Sequence, residues 1–166
     1  MEYPKRKHPR LKNYDYSQPG YYYVTIHTAS EGAPLSQIGK ATVFADPKVT
    51  LLPAGKIARE QLLLLESKYP NVRIDKYIIM PTHIHAIIQL LEDPAGASPR
   101  PTLMDIVCAY KSLVTRYCNR MLNTPGQRLF QASFYETVLR NEQAYQECWR
   151  YIEENPKKWS LDPEDL

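Results

Sequence analysis

The chain has 166 residues, 43% of them hydrophobic and 23% charged, which fits one globular domain with a single modest core and excludes a multi-domain machine. Its longest aliphatic run, Leu62 to Leu65, is far short of the roughly 20 apolar residues of a membrane span. The basic start leads into no apolar signal region, so a soluble cytoplasmic protein without membrane contact is expected. The net charge of +3 is uneven: Lys5, Arg6, Lys7, Arg10 and Lys12 against Glu2 give a basic arm over residues 1–12, ahead of a nearly neutral domain at 13–158 and a short tail at 159–166.

In chain order, Tyr21 to His27 is β-branched and aromatic throughout and predicts a strand. Lys40 to Ala45 and Val49 to Leu52 flank Asp46-Pro47-Lys48 and predict a short hairpin. A helix is expected from Ala54 to Lys68, ended by Tyr69-Pro70-Asn71 because proline disfavours helix at the residue before it. Arg73 to Met80 and His83 to Leu91 read as two strands hinged at Pro81-Thr82 and paired antiparallel, with period-2 apolar residues at Ile84, Ala86, Ile88 and Leu90. After a loop at 92–101, Thr102 caps a helix to about Arg120 that carries Leu103, Ile106, Val107, Tyr110, Val114 and Tyr117 at helical spacing. A strand near Ser133 to Leu139 follows, and then a last helix capped by Asn141 and expected to stop at Asn155 before Pro156. With the early hairpin set aside, the order matches an α+β, ferredoxin-like βαββαβ plan: an antiparallel sheet with helices on one face and an added C-terminal helix. Such a plan hosts many unrelated activities. Cys108, Cys118 and Cys148 are odd in number and far apart, which argues against a disulfide framework and against a zinc site.

Two segments carry candidate chemistry. His83 and His85 project from the same strand face because side chains alternate, so two imidazoles are aimed together and can ligate a divalent metal. The alternative is a half-buried pair satisfied by neighbouring groups. In the last helix Tyr151 and Asn155 are four apart and share a face, with Tyr151 flanking the apolar stripe centred near Ile152; the alternative is a tyrosine packed at the core's rim. About one tyrosine in a thousand is phenolate at pH 7, so a nucleophilic tyrosine needs a metal, a base or cations nearby.

Taken together, His83-Ile84-His85 after Tyr77-Ile78-Ile79-Met80-Pro81, and Tyr151-Ile152-Glu153-Glu154-Asn155-Pro156, resemble the His-hydrophobic-His and single-tyrosine motifs of small insertion-sequence transposases. Arg10 to Tyr16 followed by Tyr23-Val24-Thr25-Ile26, the block Tyr110 to Arg116, and the block Phe134 to Glu142 resemble more narrowly the REP-associated tyrosine transposases, in order and over nearly the whole chain. This resemblance implies an HUH enzyme that cleaves and rejoins single-stranded, hairpin-bearing DNA through a 5′-phosphotyrosine on Tyr151. It implies a divalent ion, Mg2+ or Mn2+, held by His83, His85 and Asn155, and a monomer or homodimer. Thr82, where asparagine is frequent, and Leu129-Phe130-Gln131, where a tryptophan is expected, depart from the family pattern. Lys5, Arg6, Lys7, Arg10, Lys12, Lys111, Arg116 and Arg140 are candidates for phosphate contacts, and Tyr14 or Tyr16 for stacking on an unpaired base. Two other readings stand beside this one: a catalytically inactive or domesticated DNA- or RNA-binding module on the same fold, and a metal-dependent phosphohydrolase that uses water.

Overall fold

The computed structural model describes residues 10–93 and 100–161. Lys5, Arg6 and Lys7 and most of the loop expected at 92–101 lie outside the described residues. A four-stranded antiparallel sheet is built from β1 (Gly20–His27), β4 (Val72–Ile79), β5 (His83–Leu90) and β6 (Tyr135–Leu139) in the order β4-β5-β1-β6. Two helical crossovers make this the expected plan. α1 (Pro53–Leu63) and the short α2 (Leu65–Lys68) join β1 to β4, while α3 (Leu103–Leu122) joins β5 to β6. A separate two-stranded hairpin pairs β2 (Ser36–Ile38) with β3 (Val49–Leu51).

The sheet is buried on both faces. Tyr22, Val24 and Ile26 of β1 and Ile84, Ala86 and Ile88 of β5 turn to one face, where Ala58 and Leu62 of α1 and Leu103, Val107, Tyr110 and Val114 of α3 close the main core. The Tyr110 hydroxyl crosses this core to donate to the Ala58 carbonyl (2.9 Å), tying the two helices together. On the opposite face Ile87 and Leu139 meet Ile152 of the added helix α4 (Glu142–Leu161), with Tyr21, Tyr23, Ile78 and Tyr145 around them. This second cluster is small, and polar links complete the docking of α4. At the bulge between Ile74 and Lys76, Asp75 accepts from the Tyr145 hydroxyl, while Lys76 pairs with Glu153 and lies 3.9 Å from the centre of the Trp149 ring.

Three boundaries differ from expectation. The first hairpin strand is Ser36–Ile38, not Lys40 to Ala45: buried Leu35 donates to the Pro81 carbonyl and accepts from the Leu52 amide, which fixes the register early and leaves 40–45 as the tip. The helix expected over 54–68 breaks at Leu64, so exposed Leu63 and Leu64 precede a separate turn. α4 does not stop before Pro156 but runs through it to Leu161, three residues into the segment set apart as a tail. Proline removes one intrahelical donor there, yet Asn155 and Pro156 are both buried and Trp159 in the next turn packs against His83, so tertiary contacts outweigh local propensity. The caps are as expected: Thr102 and Asp105 form a reciprocal capping box on α3, and the Asn141 side chain accepts from Ala144 at the start of α4.

Gly55 in α1 faces the backbone of Leu35 so closely that an added Cβ would stand 1.9 Å from the Leu35 carbonyl oxygen. Gly55→Ala is therefore expected to destabilise the fold by about 1–3 kcal/mol or more, as overpacking against a fixed backbone does. A thermal melt unchanged from wild type would contradict this packing.

Candidate metal and tyrosine site

The site lies on the sheet face that α4 covers. In the β1–β5 register Thr25 pairs with His85 and His27 with His83, so the alternation that sends Ile84, Ala86 and Ile88 into the main core sends both histidines to the α4 side. Their ring centroids are 4.6 Å apart. From α4, Asn155 places its Oδ1 3.4 Å from His83 Nε2, a loose contact beyond ordinary hydrogen-bond length, and the Tyr151 ring meets His85 edge to face at 5.4 Å. The four residues singled out in the sequence are thus brought together.

His85 is held from behind. Its Nδ1 lies 2.7 Å from the Tyr23 hydroxyl and 3.0 Å from Thr25 Oγ1, and the Tyr23 ring stacks on the imidazole. Its Nε2 is buried and finds no hydrogen-bond partner among the described residues. A buried polar nitrogen without a partner is costly in a finished core, whereas an imidazole fixed through one nitrogen with the other left open is the arrangement of a metal ligand. Burial pushes the pKa of His83 down to about 4, with His27 adding to the effect and Asn155 opposing it. It pushes His85 down to about 3, with His83 and then His27 adding. Both rings are therefore neutral at physiological pH and carry a lone pair. Among the described residues no three His, Cys, Asp or Glu side chains converge as a metal cage; the amide beside His83 is that of the buried Asn155.

Several residues at the site are invisible to motif reading. His27 closes on His83 (5.5 Å between ring centroids), and Trp159 does so from α4 (5.8 Å); the Lys158 ammonium stands 5.1 Å from the centre of the Tyr151 ring. Tyr23, Thr25 and His27 are every second residue of β1, a parity visible in the sequence, but their placement opposite His85 and His83 requires the strand order.

The candidate DNA contacts are scattered. Tyr16 is 7% exposed, and its hydroxyl donates to Glu136 inside the core, so its ring is not available to stack on a base. Tyr14 is half-buried and packs edge-on against Tyr16. Arg10 lies over the Phe134 ring at 4.7 Å with its Nε directed at the Met104 sulfur, which anchors the base of the arm; Lys12 is exposed. Lys111 spends its ammonium on the carbonyls of Gln131, Ala132 and Ser133 (2.6, 3.3 and 3.2 Å). Arg116 and Arg140 are exposed.

The depressed histidines make stability depend on pH. Protonation is opposed in the fold and free in the unfolded chain, so their contribution is complete above about 6.5 and is lost as the pH falls toward about 4 for His83 and about 3 for His85. Melts between pH 7 and 4.5 are expected to show a fall of about 1–3 kcal/mol that His83→Gln with His85→Gln largely removes. An identical slope in the double variant would contradict the burial of these rings.

No family model matches the chain. An uncharacterized protein of Haemophilus influenzae is 27% identical over 172 residues, spanning 95% of this chain and 91% of that protein. The solved structure of a REP-associated tyrosine transposase bound to a REP hairpin is similar with a TM-score of 0.66 at 19% identity, covering 92% of this chain and 75% of that one. With its antiparallel sheet order and its C-terminal helix laid over the second face, the chain has the fold of that REP-associated tyrosine transposase.

Proposed function

We propose that the protein belongs to the REP-associated tyrosine transposases and is a metal-dependent, single-tyrosine nuclease and strand-transferase acting on hairpin-bearing single-stranded DNA. The observation that carries this reading is the meeting of Tyr151 with His85, whose buried Nε2 has no partner among the described residues, beside His83 and Asn155. The donor set fits a divalent ion: two neutral imidazoles and an amide oxygen, with Tyr23 and Thr25 orienting His85. Mg2+ or Mn2+ is the ion proposed, and the nitrogen donors suit Mn2+ better than Mg2+. When bound, such an ion polarises the phosphoryl oxygen and stabilises the charge of attack.

The chain's own residues account for the remainder. The Tyr151 oxygen attacks the phosphorus of one phosphodiester, the bond from phosphorus to the 3′ oxygen breaks, and the phenolic proton is balanced by the proton gained at the released 3′-hydroxyl. The 5′ phosphate stays on Tyr151 as an ester, and attack by a 3′-hydroxyl reverses the step, so strands are rejoined without a nucleotide cofactor. Tyr151 stands on a helix docked through Tyr145, Lys76 and Ile152, which holds the nucleophile on a rigid element.

Wild-type protein incubated with labelled hairpin DNA and Mn2+ is expected to give a covalent adduct on a denaturing gel, with Tyr151→Phe giving none. Equal cleavage by Tyr151→Phe would point to a water-using phosphohydrolase, and binding without adduct from wild type would point to an inactive binding module; either outcome overturns the proposal. Calorimetric titration with Mn2+ is expected to show binding that His85→Gln weakens by at least about tenfold, in line with loss of one ligand. Affinity equal to wild type would remove His85 from the metal site.

A further inference from the structure

On the sheet face opposite the histidines, α3 and the segment 123–132 enclose a groove of about 850 Å³. Lys111, Arg116, Arg120 and Arg128 line it, and among the described residues no acidic one does. Arg116 and Arg120 stand four apart on one helix, where like charges repel at a cost of about 0.2–0.5 kcal/mol. No described acidic side chain forms an ion pair with either arginine. Glu31 interacts electrostatically with Arg128 from outside the lining. Unneutralised repulsion along a concave wall is the electrostatic signature of a surface built for a polyanion.

The wall opposite α3 is fixed in advance. Lys111 clamps the carbonyls of Gln131, Ala132 and Ser133; the Asn119 amide donates to the Gln127 carbonyl; Leu129 and Phe130 are buried as anchors. Gly126, at φ +77°, makes the turn. The same wall leads to the candidate site, since the Gln131 amide donates to the carbonyl of His27, whose ring meets His83.

We infer that this groove binds the phosphate backbone of hairpin DNA through Arg116, Arg120 and Arg128, with the strand passing around the His27 end of β1 toward Tyr151. The inference rests on the proposed DNA-processing function for its choice of polyanion. Arg120 and Arg128 are contacts that sequence reading did not single out. Lys111 is a clamp for the groove wall.

The test is fluorescence anisotropy of a labelled DNA hairpin with the full chain at several salt concentrations. It compares wild type, the triple variant Arg116→Gln, Arg120→Gln, Arg128→Gln, and the triple Lys variant at the same positions. Loss of three phosphate contacts is expected to make the slope of log affinity against log salt shallower by about 2–3 and to weaken binding roughly tenfold or more. The Lys variant should keep most of the slope, and a matched thermal melt of each variant separates binding loss from unfolding. A Gln variant that stays folded and binds with wild-type affinity and slope would overturn the groove assignment. Covalent adduct formation by wild type is scored in the same samples, so a failure of the catalytic reading is seen separately from a failure of the groove.

Discussion

The architecture depends on the pleat of β5. One strand supplies apolar side chains to a core on one face and two imidazoles to the other, and strict alternation does both: Ile84, Ala86 and Ile88 go one way while His83 and His85 go the other. A one-residue slip in the β1–β5 register would bury both imidazoles among α1 and α3 and turn the isoleucines toward α4. The eight paired positions along β1 and β5 hold that register.

The second face is finished differently from the first. The main core is a broad aliphatic and aromatic cluster with two helices across it, whereas among the described residues the apolar cluster on the α4 face is small and centred on Ile87, Leu139 and Ile152. Little apolar area remains to hold α4, so its orientation is set by the contacts at the β4 bulge: Tyr145 on Asp75, Glu153 on Lys76, and Lys76 over Trp149. Trp149 and Glu153 stand on the same turns as Tyr151 and Asn155, so these contacts hold the side of the helix that meets β4. Tyr151, Asn155 and Trp159, four residues apart in succession, close over His83 and His85, where polarity and burial coexist and the imidazoles lose their affinity for protons. The small apolar cluster on this face and the availability of imidazole lone pairs are thus two results of the same packing.

Most of the fold was legible because its signals are local. Period-2 alternation marked β5, helical spacing with a Thr102 cap marked α3, and the strand and helix order gave the βαββαβ plan. Features that depend on distant partners were not legible. Ser36–Ile38 is too short and polar to announce a strand, and only Leu35 between Pro81 and Leu52 explains it. Pro156 reads as a stop until its burial within α4 and the packing of Trp159 on His83 are known. At the site, His83, His85, Tyr151 and Asn155 could be picked out by residue type and spacing, whereas Tyr23, Thr25 and His27 acquire meaning only from the strand beside them. Tyr16 and Lys111 show the converse: an aromatic ring and a cation that look like ligand contacts in the sequence serve the core and a loop instead.

The proposed function turns on Tyr151 being the residue that the histidine face serves. The most direct test is mass spectrometry of proteolytic peptides from protein reacted with hairpin DNA and Mn2+. A 5′-linked nucleotide phosphate is expected on the peptide containing Tyr151, absent when His85 is replaced by glutamine. A nucleotide on any other residue, or an undiminished Tyr151 adduct in the His85→Gln protein, would contradict it.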